Sequence, residues 1–259
     1  MRPPFFQKGT KVSRLRNGPS SFETVLKYAG NNKAILDTQN GKRHYSERFS
    51  QDVAEWFAGY LRHDIKHDTL LPPESPIKTS FGTKRLDIGC VDPNGYLSLD
   101  VSIKTFHFRD QRTKKYNKNF TGRFYELLGE SLDLHRSYPL AVLAAIIILP
   151  IDSCNDSLTA APSSFGCAVR QFSKISGRIE PEDDPILFEH VFIGLYNSNS
   201  IAFFNAMDAP PKQGIPERCY LISIEELIGK LIHSTDIRKA TRNISKMREQ
   251  RTFSWAKPI

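Results

Sequence analysis

Thr83-Lys84-Arg85-Leu86-Asp87-Ile88-Gly89-Cys90-Val91 leads into Asp92-Pro93-Asn94-Gly95, and then into Tyr96-Leu97-Ser98-Leu99-Asp100-Val101-Ser102-Ile103-Lys104-Thr105-Phe106. Two alternating runs flank a turn in which Pro presets one dihedral and Asn-Gly accepts positive φ. This predicts a β-hairpin. Successive strand side chains point to opposite faces, so Ser98, Asp100, Ser102 and Lys104 are expected on one face. Leu97, Leu99, Val101 and Ile103 are expected on the other, the buried one. Asp87 then lies across the hairpin from Asp100 and Lys104.

Working outward, Ser46 to His63 shows an apolar stripe at helical spacing (Phe49, Val53, Trp56, Phe57, Tyr60, Leu61) and predicts a helix. Upstream of it, Lys33 to Thr38 is expected to form a small strand ended by Asn40-Gly41. Leu70 to Pro76 is a proline-rich connector. After the hairpin, Asn119 to Arg136 predicts a second helix. Leu140 to Pro150 is a β-branched apolar run, too short to span a bilayer and expected to be a buried central strand. Further on, a helix is predicted from Ser163, a hairpin across Asn197 to Ser200, and a helix capped by Ser223. This order predicts an α/β fold, a mixed central sheet flanked by helices. The expected division is a basic arm and small subelement over 1–45, a core over 46–151, and an α+β extension over 152–259 that packs with the core.

A carboxylate and an ammonium on one rigid face suit metal-dependent phosphodiester hydrolysis. Oxygen ligands hold a hard cation there, and the ammonium offsets charge on the phosphorane. The arrangement resembles the PD-(D/E)xK nuclease superfamily, the restriction-endonuclease-like fold, whose motif is an acid on one hairpin strand and acid-x-Lys on the next. Asp87 matches the first acid and Lys104 the lysine. Ser102 stands where the middle acid belongs. Asp100, one pleat repeat back, or Glu126 or Glu130 on the following helix would replace it. The resemblance implies Mg²⁺, or Mn²⁺ in its place, held by Asp87, Asp100, Glu126 and Glu130, with Asp87, Asp100, Lys104 and Glu126 as catalytic residues. It also implies a DNA endonuclease of a restriction system, acting as a homodimer and paired with a methyltransferase for the same site. The loss of the acid at Ser102 leaves a second expectation, a degenerate nuclease fold that binds DNA or RNA without cutting it.

Composition fits a polyanion binder. The 259 residues carry a formal net charge of +8, with 39% hydrophobic and 25% charged residues. The stretch after Lys104 concentrates cations among aromatics, and Arg109, Arg112, Lys114, Lys115, Lys118 and Arg123 are expected to contact phosphates. Phe108, Tyr116 and Phe120 are available to stack unpaired bases. The four cysteines show no CxxC spacing, which argues against a zinc site and a disulfide framework and for a reduced cytoplasm. His63-Asp64 and His67-Asp68 read as a polar helix end, because no distant His and Asp ligands accompany them. No apolar segment follows the basic amino terminus, so neither a signal peptide nor a membrane span is expected.

Overall fold

A computed structural model describes residues 19, 21–29, 38–65, 67–157, 161–211 and 214–254, with side chains as far as Arg242. The sequence predicts a strand at Lys33 to Thr38. Its first five residues lie outside the described set, and Thr38 itself is a helix cap. Its hydroxyl oxygen accepts from the Gly41 N–H at 2.9 Å, and helix α2 runs Gln39–Asp64. Asn40-Gly41 is therefore the first turn of a helix, not the end of a strand. The apolar stripe also begins one turn earlier than Phe49, because Tyr45 stacks on it with ring centroids 6.1 Å apart. Helix α1 (Phe22–Ala29) packs on α2 through Phe22, which meets Phe49 and Trp56 edge-on.

Among the described residues the main sheet has seven strands in the order β1-β4-β5-β6-β7-β8-β9. They are β1 (Thr69–Leu70), β4 (Ile88–Val91), β5 (Leu97–Thr105), β6 (Val142–Pro150), β7 (His190–Tyr196), β8 (Ile201–Asn205) and β9 (Leu221–Ile222). The three central strands, β5, β6 and β7, run parallel, and the outer pairs are antiparallel. Helix α3 (Phe120–Ser137) crosses from β5 to β6, and α4 (Ser164–Phe172) lies between β6 and β7 in the chain. The fold is mixed α/β, with helices on both faces of the sheet. Residues beyond 152 add β7, β8 and β9 to this same sheet, and α2 runs through the boundary expected at 45/46.

Two apolar clusters fill the spaces on either side. One joins α3 and α4 to Leu143, Ala145, Ile147 and Leu149 of β6. The other joins α1, α2 and α5 (Ile224–Ser254) to Val142, Ala144, Ile146 and Ile148. A strand covered on both faces needs apolar residues at every position, which is why β6 reads as an unbroken hydrophobic run. Helix α5 starts with a capping box: the Glu226 carboxylate accepts from the Ser223 N–H at 2.7 Å, and the Ser223 hydroxyl accepts from the Glu226 N–H at 3.3 Å. Among the described residues no helix is long and apolar enough to cross a membrane.

The hairpin departs from simple alternation twice. The run from Thr83 to Val91 is not one strand. β3 (Gly82–Leu86) pairs with β2 (Ser75–Thr79) in a separate two-stranded sheet, so the proline-rich connector leads into a strand, and β4 begins only at Ile88. Leu86 packs into the α3 cluster and Ile88 into the α2 cluster. In a continuous strand these residues would share a face, so the chain kinks at Asp87. The second departure is a bulge. Cys90 pairs with Leu99 but Val91 with Leu97, leaving Ser98 as an extra residue. Leu97 consequently joins the α3 cluster, and the Ser98 hydroxyl donates to Asp68 Oδ2 at 2.5 Å. The predicted grouping of Ser98 with Asp100, and of Leu97 with Leu99, is corrected by this bulge.

Candidate active site

The rest of β5 obeys the alternation. Leu99, Val101 and Ile103 face α2, and the intervening residues face α3. That second face is polar yet buried, with Asp100 0%, Ser102 2% and Lys104 8% exposed. Polar groups are stable in such a place only with partners, and α3 supplies them. Glu126 and Glu130, one helical turn apart, both reach Lys104 Nζ, at 2.8 and 3.1 Å. Glu130 also pairs with Lys84 Nζ of β3 at 3.1 Å, and its Oε2 accepts from the Ser102 hydroxyl at 2.9 Å. The Glu130 carboxylate thus rests on the serine that stands in place of the motif acid. Arg123 pairs with the outer oxygen of Glu126.

Asp87 approaches from the kink between β3 and β4, and its Oδ2 accepts from the Ile103 N–H at 2.7 Å. The carboxylate is therefore pinned to the residue next to Lys104, and both side chains line one cleft. Burial raises the Asp87 carboxyl above its ordinary range; the Ile103 N–H and Lys104 oppose this, while Glu130 and Glu74 add to it. Burial pushes Asp100 up to about 7, with Glu130 and Asp87 contributing and Lys84 opposing. Asp100 Oδ1 is buried with no hydrogen-bond partner, and Asp100 does not line the cleft. Burial works against the Lys104 ammonium, yet Glu130 and Glu126 outweigh it and raise the pKa. Glu130 is held below its ordinary value because Lys104 and Lys84 outweigh its burial, and Glu126 is lowered by Lys104 and Arg123 in the same way.

The cleft encloses about 1030 Å³. One wall is the first half of α2, the other is the loop that leaves β5, and the floor carries Asp87 and Lys104. Of the cations expected to contact phosphates, Arg109, Arg112, Lys118 and Arg123 line it, whereas Lys114 and Lys115 do not. The Lys115 ammonium donates to the Pro162 carbonyl at 3.3 Å, away from the cleft. Arg109 and Lys118 are steadied by Asp152 and Asp110, at 2.7 and 3.0 Å. The aromatic expectation is corrected in part. Phe120 is a core residue that does not line the cleft; Phe108 and Tyr116 both line it, but Tyr116 is buried with its hydroxyl donated to Asp152 at 2.9 Å.

Two cleft residues escaped sequence reading. Lys42, 5.6 Å above the Phe108 ring, lies in a segment read as a turn, and Glu74 lies in a segment read as a linker. Asp68, within the second His-Asp pair, is bound by Ser98 and by Lys239 at 2.9 Å, and so serves as a buried anchor for α5.

Among the described residues no three His, Cys, Asp or Glu side chains form a group that could hold a metal ion as they stand. Glu126 and Glu130 are turned toward cations instead. The donor chemistry still suits a hard divalent ion: the Asp87 carboxylate is held at the Ile103 N–H, Glu130 is bonded to Lys104, and Asp100 Oδ1 is an unused buried acceptor. Comparisons with protein-family models, with curated proteins and with solved structures give no match to this chain.

Proposed function

We propose that this chain is a Mg²⁺-dependent endonuclease of the PD-(D/E)xK type that hydrolyses DNA phosphodiester bonds in a restriction system, with Mn²⁺ able to substitute. The observation that carries the proposal is that Asp87, pinned to the Ile103 N–H, and Lys104 line one cleft, with Glu130 bonded to Lys104 and to Ser102, where the motif acid is missing, beneath it. Asp87 and Glu130 would hold the cation, with Glu126 and Asp100 in support. Bound there, the ion supplies Lewis-acid stabilisation of the phosphoryl oxygens and lowers the pKa of a coordinated water.

The remaining work belongs to the chain. Lys104 keeps its proton, because two carboxylates outweigh its burial. It therefore acts as a fixed positive charge that orients the attacking water and offsets charge on the phosphorane, not as a base. Arg112 and Lys42 place the phosphate backbone along the walls. The water oxygen bonds to phosphorus in line and gives up one proton to solvent, while the opposite P–O ester bond breaks and its leaving oxygen takes a proton from solvent to depart as a hydroxyl. As a restriction enzyme it would cut both strands as a homodimer, with a methyltransferase protecting the same sequence.

A second reading, a nuclease fold that binds without cutting, is favoured by the serine at 102 and by the double engagement of Lys104. Plasmid incubated with Mg²⁺ or Mn²⁺ separates the two. Cleavage by the native chain, falling by on the order of 10²–10³ in Lys104→Ala, supports the enzyme. Retardation of the plasmid with no cleavage by either protein supports the binder.

A further inference from the structure

Lys84 lies on β3 at a position where the local pattern calls for an apolar residue. It is paired with Ile77 of β2, and Leu86, two residues further along the strand, shares its face. Ile77 and Leu86 are both buried in the α3 cluster. The lysine side chain beside them is 16% exposed, and a lysine is seldom held so far from water without a partner. Its partner is Glu130 of α3, whose Oε1 lies 3.1 Å from Lys84 Nζ and 3.1 Å from Lys104 Nζ.

The two ammoniums on this oxygen are not equivalent. Lys104 lines the cleft and has a second carboxylate, Glu126 at 2.8 Å. Lys84 does not line the cleft, and among the described residues Glu130 is its ion-pair partner and no other acid is. Glu130 Oε2 accepts from the Ser102 hydroxyl, so both oxygens are taken, Oε1 twice over. A divalent ion that takes Glu130 as a ligand must therefore share an oxygen with an ammonium or displace one, and the like charges repel at such distances. Lys104 is retained by Glu126 in that exchange, which leaves Lys84 as the ammonium that withdraws.

We propose that Lys84 is a positioning residue that competes with the divalent ion for Glu130 and thereby sets the affinity of the site for that ion. The inference rests on the nuclease reading, in which Glu130 is a ligand. It adds a residue from the separate β2–β3 sheet to a site otherwise built from the hairpin and α3.

Titration of the DNA-free protein with Mn²⁺, followed by electron paramagnetic resonance, tests it. Lys84→Met keeps the packing of the lysine stem and leaves Glu130 neutralised by Lys104, so the fold is retained. Its Mn²⁺ binding is expected to be about tenfold tighter, because a competing charge is gone. Lys84→Gln should act likewise, and Lys84→Arg should match the native chain. In a Glu130→Gln background, Lys84→Met should change the affinity by no more than about twofold, since the contested group is absent. A pair that served structure alone would move the other way, because loosening Glu130 weakens a ligand. Equal or weaker Mn²⁺ binding in Lys84→Met and Lys84→Gln overturns the proposal, as does a gain that persists undiminished in the Glu130→Gln background. Tighter binding in the variants, with plasmid left intact by the native chain, retires the nuclease reading and keeps the competition. Plasmid cleavage by the native chain, with equal Mn²⁺ affinity in native and variant proteins, does the reverse. No Mn²⁺ binding at millimolar concentration by any of these chains overturns both.

Discussion

Lys104 and His107 lie three residues apart, and burial works against the charged form of both, yet their pKa values move in opposite directions. The lysine is raised by its two carboxylates. The His107 ring sits among Phe49, Tyr45 and Tyr196, with Nδ1 2.9 Å from the Tyr196 hydroxyl and no acid beside it, and burial lowers its pKa to about 3. Its folded value lies below the unfolded value of about 6.5. Native His107 therefore binds fewer protons than unfolded His107 between those limits, and its contribution to stability is full above pH 6.5 and is lost as pH falls toward 3. Thermal unfolding at pH 7.5, 6 and 5 should show a fall in Tm with acid that is shallower in His107→Phe; equal slopes would remove this histidine from the account. Charge character was legible at this scale: Asp100 and Lys104 stand out in a strand otherwise built of apolar and small residues, and Asp87 stands just ahead of the strand that pairs with it. Partnership was not. Glu126, nearer the start of α3, is the helix acid the sequence favours, yet the serine contact belongs to Glu130, one turn later. Only the depth at which α3 crosses β5 sets that choice.

At the scale of elements, long periodic segments announced themselves. The strand at 142–150, helix α3, the Asn197–Ser200 hairpin and the caps at Ser163 and Ser223 follow from local patterns. What local pattern misses is where alternation stops. The kink at Asp87 and the bulge at Ser98 arise because Leu86 and Leu97 are drawn into the α3 cluster, a tertiary demand that no strand propensity encodes. The bulge also has an energetic role, since it aims the Ser98 hydroxyl at the buried Asp68 carboxylate, whose other oxygen has no hydrogen-bond partner. Ser98→Ala should cost about 1–3 kcal/mol, because it strips a buried charge of one of its two donors. Urea unfolding checks this: a lowered midpoint at unchanged slope is expected, and an unchanged midpoint would mean that Lys239 alone suffices for Asp68.

Across the whole molecule, an excess of +8 becomes useful only where cations are gathered. The cleft collects Lys42, Arg109, Arg112, Lys118 and Arg123, and among these Lys42 and Arg112 have no ion pair among the described residues. In Ca²⁺ or EDTA, Arg112→Ala should weaken duplex binding for every sequence and reduce the slope of log K against log salt by about 1. Lys114→Ala, outside the cleft, should leave that slope unchanged. Equal effects would show that the charge acts as a diffuse field instead of through this groove. The basic stretch was visible in the sequence, but not which of its members turn toward the floor, because the loop's path is set by Asp110 and Asp152.

The strand β6 lies at the middle of the sheet, bonded to β5 on one side and to β7 on the other. Its second neighbour is encoded only after residue 189. A polypeptide stopped at 151 would leave the amides and carbonyls of Ala144–Pro150 as a bare, unprotected border flanked by greasy side chains, an invitation to pair with its own copies. The catalytic-looking hairpin and the late strands are thus obligate companions, and shuffling, truncation or insertion is tolerable only outside the stretch that ties them together.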